Sequence, residues 1–115
     1  MIDYPDLQLY IGGAWRKTHG DLPVVNPATE QEIGRLPSAR TSDLDDALDA
    51  AEKGFRVWRR TAPVERAEVL RNAARLMRER IDTIAHAITL EHGKPLPQAR
   101  LEVIRGVDFH LEVTH

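Results

Sequence analysis

Glu91, His92 and Lys94 fall within four residues of one another, in Thr89-Leu90-Glu91-His92-Gly93-Lys94-Pro95-Leu96. An acid, an imidazole and an amine that close together could move a proton, hold a cation or grip a phosphate. The surrounding sequence narrows these options. A phosphate-gripping lysine follows a Gly-x-x-x-x-Gly run, and none precedes Lys94. His19, His86, His92, His110 and His115 are scattered, with no i, i+4 pair around a glutamate of the kind that binds zinc. The chain has no cysteine, which removes disulfides, thiolate metal sites and thiol nucleophiles together. What remains is the Glu91 carboxylate, just before a helix stop. The helix dipole is negative at that end, so Glu91 asks for a compensating positive charge, either a bound cation or an arginine.

Other residue sets point to packing. Trp15 and Trp58 could form a stacking platform, but one sits in a hairpin and the other ends an apolar stripe. Asp108, Phe109 and Glu112 could form a partner face, and read more simply as part of a helix that packs. Residues 53–80 carry nine bases against three acids, while residues 41–52 carry five acids and no base. The arginines alternate with apolar positions instead of gathering on one face, so no nucleic acid partner is expected. A net charge of −2 adds no global field. No apolar run approaches the roughly 18 residues of a membrane span, and Met1-Ile2-Asp3-Tyr4-Pro5-Asp6 has no leader character. A soluble, cytoplasmic protein is expected, and the absence of cysteine fits a reducing compartment. At 115 residues and 5% aromatics the chain is domain-sized with a lean core.

Two segments organise these residues: 1–40, a hairpin and short strands, and 41–115, helical. Leu7 to Ile11 alternates, Gly12-Gly13 tolerates positive φ at both turn positions, and Ala14-Trp15-Arg16 returns. Thr18 to Asp21 reads as loop. Val24-Val25 is a short extended piece stopped by Asn26-Pro27, and Glu32 to Pro37 is another strand. Thr41 or Ser42 is expected to cap a helix with acids in its first turn. Leu44, Ala47, Leu48, Ala51, Phe55 and Trp58 give that helix one apolar stripe. A second helix begins near Thr61 with Pro63 in its first turn. Its stripe runs from Leu70, Ala73, Ala74 and Met77 to Ile81, Ile84, Ala85 and Ile88. A break is expected between Arg80 and Asp82, with Asp82 opening a new piece. Gly93 ends this region as a left-handed glycine, and Pro95 blocks its continuation. A last helix starts near Pro97, with Ala99, Val103, Val107 and Leu111 on one side and no stop signal. Short strands followed by three to four helices read as a segment of a larger α/β fold.

The motifs, taken in order, resemble the N-terminal segment of NAD(P)-dependent aldehyde dehydrogenases. The carriers are Leu9-Tyr10-Ile11-Gly12-Gly13-Ala14-Trp15, Val25-Asn26-Pro27-Ala28-Thr29, and Ile33-Gly34 through Pro37. They continue with the Asp-rich helix ending in Phe55-Arg56-Val57-Trp58, then Glu65-Arg66-Ala67, then Leu90-Glu91-His92-Gly93-Lys94-Pro95. They span Leu7 to Leu111. Thr89-Leu90-Glu91 with Gly93-Lys94-Pro95-Leu96 leans toward the succinate-semialdehyde branch.

The resemblance implies an oxidoreductase in which a cysteine thiolate attacks the aldehyde and hydride passes to NAD or NADP. A glutamate-activated water then releases the acid. It implies a homo-oligomer whose subunit includes the remainder of a dehydrogenase chain, and no membrane. None of the catalytic or cofactor-binding residues maps onto this segment, so the segment alone is expected to be structural and inactive. One site does map. A monovalent cation in this family is held by a carboxylate before the glycine-lysine-proline motif and by carbonyls of the valine-asparagine-proline segment. Here these would be Glu91, Val24 and Val25, oxygen donors suited to Na⁺. The competing expectation is an independent small helical module that acts by binding a protein partner.

Overall fold

The computed structural model describes residues 4–18 and 21–108. They form β1 (Leu9–Ile11), β2 (Ala14–Arg16), β3 (Asp21–Val25), β4 (Glu32–Pro37), α1 (Thr41–Trp58), α2 (Pro63–Glu79), α3 (Ile81–His92) and α4 (Leu96–Val107). The expected Leu111, Phe109 and Glu112 positions lie outside the described residues. Among the described residues no helix is long and apolar enough to cross a membrane. The elements group into two compact units: Tyr4–Val25 with Glu32–Thr61, and Asn26–Gln31 with residues 62–108.

In the first unit β1 and β2 pair antiparallel, with Tyr10 opposite Trp15. Gly12 and Gly13 supply the tight turn at φ 61° and 84°, as the dipeptide predicts. The two aromatic rings lie 4.7 Å apart on the hairpin's outer face, where both are exposed. The hairpin tip rests on α1, because Ala50 lies within ordinary contact distance of where a Gly12 side chain would begin. β3 and β4 form a second antiparallel pair, from Asp21 opposite Pro37 to Val25 opposite Glu32. This corrects the reading of Val24-Val25 as an isolated extended piece after a loop. β3 begins at Asp21 and accommodates Pro23, which a two-stranded edge allows because its missing N–H can face away from the ladder.

The start of α1 also differs from expectation. Neither Thr41 nor Ser42 is the cap; Arg40 holds that position with extended backbone. The side chain that closes the helix start is Asp43, whose Oδ2 accepts the Arg40 backbone N–H at 2.9 Å. A short acid at the third helical position thus does what a capping-box glutamate does.

In the second unit Pro63 opens α2 at a first-turn position, where no hydrogen bond is lost. Arg80 breaks the long helical run, and α3 starts at Ile81, one residue before the expected Asp82. α3 and α4 pack through the smallest side chains available. Ala85, Ala99 and Val103 are buried, with Met77, Ile81, Ile84 and Ile88 packed around them. Ion pairs Arg78–Asp108 at 2.9 Å, Asp82–Arg100 and Lys94–Glu102 tie α4 to its surroundings. Exposed pairs of this kind contribute about 0–1 kcal/mol each, so apolar contact carries the packing. The core is lean: among the described residues Val107 is the largest fully buried side chain.

Candidate functional site

The two sequence motifs meet in the second unit. The Asn26–Gln31 loop closes on itself. Asn26 donates its N–H to the Gln31 carbonyl at 2.9 Å, and its own carbonyl accepts the Glu30 N–H at 2.8 Å. Its side-chain Oδ1 accepts the Ala28 N–H at 2.9 Å, an Asx turn that suits asparagine at this place. Glu30 takes φ 58°, the left-handed region, to complete the closure. The loop therefore presents Pro27 on a defined backbone.

Gly93 receives it. Gly93 adopts φ 69° at the end of α3, and its N–H donates to the Thr89 carbonyl at 2.9 Å. This is the left-handed stop that the sequence predicts. A Cβ built on Gly93 would lie 3.1 Å from Pro27 Cγ. Glycine is thus required twice, by the backbone sign and by the proline against it. Lys94, next in the motif, pairs with Glu102 one helix further on. Its ammonium holds the Glu102 carboxyl below the ordinary carboxylate range, chiefly through the hydrogen bond. This lysine is used in closing the α3–α4 corner.

The expected cation ligands fall on different elements. Val24 and Val25 end β3, and the strand register shifts between them. A bulge of this kind interrupts the ladder and re-aims backbone groups. Glu91 lies exposed in the last turn of α3. Among the described residues, no cluster of three or more histidines and acids is placed to hold a metal ion. Carboxylate and carbonyl oxygens have the right chemistry for Na⁺.

The described residues do not build a dinucleotide cradle. Gly12 and Gly13 form a hairpin turn, and Gly93 leaves a helix where a phosphate-binding glycine would open one. The groove between the hairpin and α1 is lined by Arg16 and Lys53 but also by Asp46 and Asp49, so the two charge signs cancel.

One charged cluster was not foreseen. The Arg16 guanidinium on β2 donates to Asp43 Oδ1 at 3.1 Å and to Asp46 Oδ2 at 2.7 Å. Asp43 is buried, with its side chain 4% exposed. Both of its oxygens are engaged, one by Arg16 and one by the Arg40 N–H. The Arg40 N–H first, and then Arg16, hold its carboxyl below the ordinary range. The cluster pins the hairpin to the start of α1. A carboxylate depressed on folding stabilises above its unfolded pKa of about 3.9 and loses that contribution as pH falls through the lower folded value. Thermal melts of the wild type are therefore expected to hold steady down to about pH 4 and to drop below it. Asp43→Asn should melt lower at neutral pH and show a smaller acid-induced drop.

The second unit thus combines a closed loop, a locked helix stop and two helices on an alanine-lined contact. Residues 15–114 match the aldehyde dehydrogenase family, and the chain belongs to it. It is 36% identical over 105 residues to the human mitochondrial acylating methylmalonate-semialdehyde/malonate-semialdehyde dehydrogenase, covering 90% of this chain and 20% of that protein. It is 42% identical over 95 residues to the Saccharomyces cerevisiae NADP⁺ succinate-semialdehyde dehydrogenase, covering 82% and 19%. An NADP-dependent enzyme of E. coli superposes with a TM-score of 0.88 at 35% identity, covering 93% of this chain and 22% of that one. The chain thus spans about one fifth of the length of the relatives it matches.

Proposed function

We propose that this chain is the N-terminal scaffold segment of an NAD(P)-dependent dehydrogenase. The complete enzyme would oxidise the semialdehyde of a short dicarboxylic acid. The observation that carries this reading is the family match across residues 15–114, with the family's two diagnostic segments seated together as Pro27 on Gly93. Among semialdehydes, succinate semialdehyde is favoured by Thr89-Leu90-Glu91 with Gly93-Lys94-Pro95-Leu96, and one relative of 42% identity bears that name. In this reading the remainder of the dehydrogenase polypeptide supplies the nucleophilic cysteine, the acid–base glutamate and the cofactor site. The complete enzyme is a cytoplasmic homo-oligomer. The Na⁺ site attached to Glu91, Val24 and Val25 belongs to the same proposal for that enzyme.

Two assays test it. The purified 115-residue chain should produce no reduced nicotinamide from succinate semialdehyde with either NAD or NADP. Turnover above a buffer control that survives repurification would overturn the scaffold role. A polypeptide that carries this segment followed by the remaining four fifths should oxidise a semialdehyde faster than acetaldehyde. Equal rates would overturn the substrate class.

A further inference from the structure

Gly34 stands in the middle of β4, where a glycine weakens a strand and often marks the close approach of another group. It is not among the glycines of positive φ, which are Gly12, Gly13 and Gly93, so its backbone would suit any residue. Space is what requires glycine there. A Cβ at Gly34 would lie 2.6 Å from Tyr4 Cε1 and 2.8 Å from Tyr4 Cδ1, well inside the separation at which two carbons rest. The edge of the Tyr4 ring thus occupies the place that a side chain would take.

The ring lies on one face of the β3–β4 pair. Gly34 is opposite Val24, and Leu36 is opposite Leu22; cross-strand partners and alternate residues share a face. Along that face the exposure changes. Leu22 and Leu36 are 60% and 47% exposed, whereas Val24 and Gly34, at the level of the ring, are half-buried, as is Tyr4 itself. Cover is needed here, because a lone two-stranded hairpin is marginal in water and β3 and β4 make their main contacts with each other. Pro5 prepares the ring for its place, since a residue before proline is held extended. Further along, Asp6 pairs with Lys17 at 3.0 Å, but both side chains are exposed, and such a pair holds little.

We propose that residues 4–8 are a strap latched shut on the β3–β4 pair by the Tyr4 ring in the notch at Gly34. Closed, the strap shields the Val24–Gly34 end of the apolar face and ties the β1–β2 hairpin to the β3–β4 pair. Open, it leaves that face bare from Leu22 to Val24. The latch lies wholly within the first unit and does not depend on the family reading.

Hydrogen exchange of the 115-residue chain, read by mass spectrometry over residues 21–37, tests the latch. Tyr4→Ala should speed exchange of the β3–β4 amides by about tenfold or more, while Tyr4→Phe, which keeps both contacting carbons, should stay within about threefold of the wild type. Gly34→Ala separates the possibilities by sign. In an empty notch alanine suits a strand better than glycine and would slow exchange. Against the ring it should speed exchange by about tenfold, because the methyl group expels Tyr4. In the Tyr4→Ala background the same change should slow exchange, since the ring is gone. Amides of α3, in the second unit, serve as the internal reference, and equal helical circular dichroism shows that each variant folds. Unchanged exchange in Tyr4→Ala, slower exchange in Gly34→Ala alone, or Tyr4→Phe matching Tyr4→Ala overturns the latch. Protection of the wild-type β3–β4 amides that fades on dilution assigns the notch to the Tyr4 of a second copy and also overturns it.

Discussion

Val103→Asp is expected to abolish cooperative folding of the α2–α4 unit. Val103 is 4% exposed and sits against Ala85 and Ala99 at the α3–α4 contact. A carboxylate there would lose its water against alanine and isoleucine side chains, the kind of change that costs more than about 4 kcal/mol. A domain's whole stability is about 5–15 kcal/mol, and this core is lean. Circular dichroism during urea denaturation should show a sloping loss of helix in place of a sigmoidal transition. Ile104→Asp is the matched control. Ile104 is next in sequence but 40% exposed, so its change should stay within about 1 kcal/mol. Similar effects from the two variants would contradict the assignment of Val103 to the core.

Gly93→Ala and Gly106→Ala are expected to act in opposite directions. Gly93 has positive φ, and its missing side chain leaves room for Pro27. Alanine there should cost about 1–2 kcal/mol from backbone sterics, with crowding against the proline in addition. Gly106 lies within α4, and an added Cβ would meet nothing within 4 Å. Alanine at that position should stabilise by about 0.5–1 kcal/mol, because it narrows the unfolded ensemble and favours helix. Chemical denaturation of the two variants measures both signs. Stabilisation by Gly93→Ala would contradict the left-handed stop.

The parts of the fold that local physics controls were legible from residue order. Gly12-Gly13 announced its turn, Pro63 the start of α2, and Gly93 with Pro95 the end of α3. Ala99, Val103 and Val107, spaced by four, named the buried side of α4. The features that escaped depend on distant partners. Pro23 hid the pairing of β3 with β4, because proline argues against a strand until the strand is known to be an edge. The Arg16 cluster joins residues 27 and 30 positions apart, and no local pattern links an arginine in a hairpin to a helix start. Asp43 was legible as an acid favoured by the helix dipole, but not as the buried member of a network. The apolar stripe of α1 shows the remaining gap. Periodicity tells that a face needs cover, while the identity of the cover lies in other residues. The seating of Pro27 on Gly93 escaped as well, since the 65 residues between them carry no register of their own.

The alanine-lined contact between α3 and α4 has a mechanical consequence. Because Ala85 and Ala99 offer no side-chain length to adjust, the spacing of the two helices is set by backbone against backbone. Ala99 sits near the start of α4, eight residues before Val107, and so about 12 Å along the axis from it. A larger side chain at Ala99 would act as a wedge close to one end of a rigid rod. The rod would pivot, and its far end would swing further than the wedge itself is thick. Val107 is buried at that far end, so one methyl-sized residue fixes where the rod's last buried side chain comes to rest.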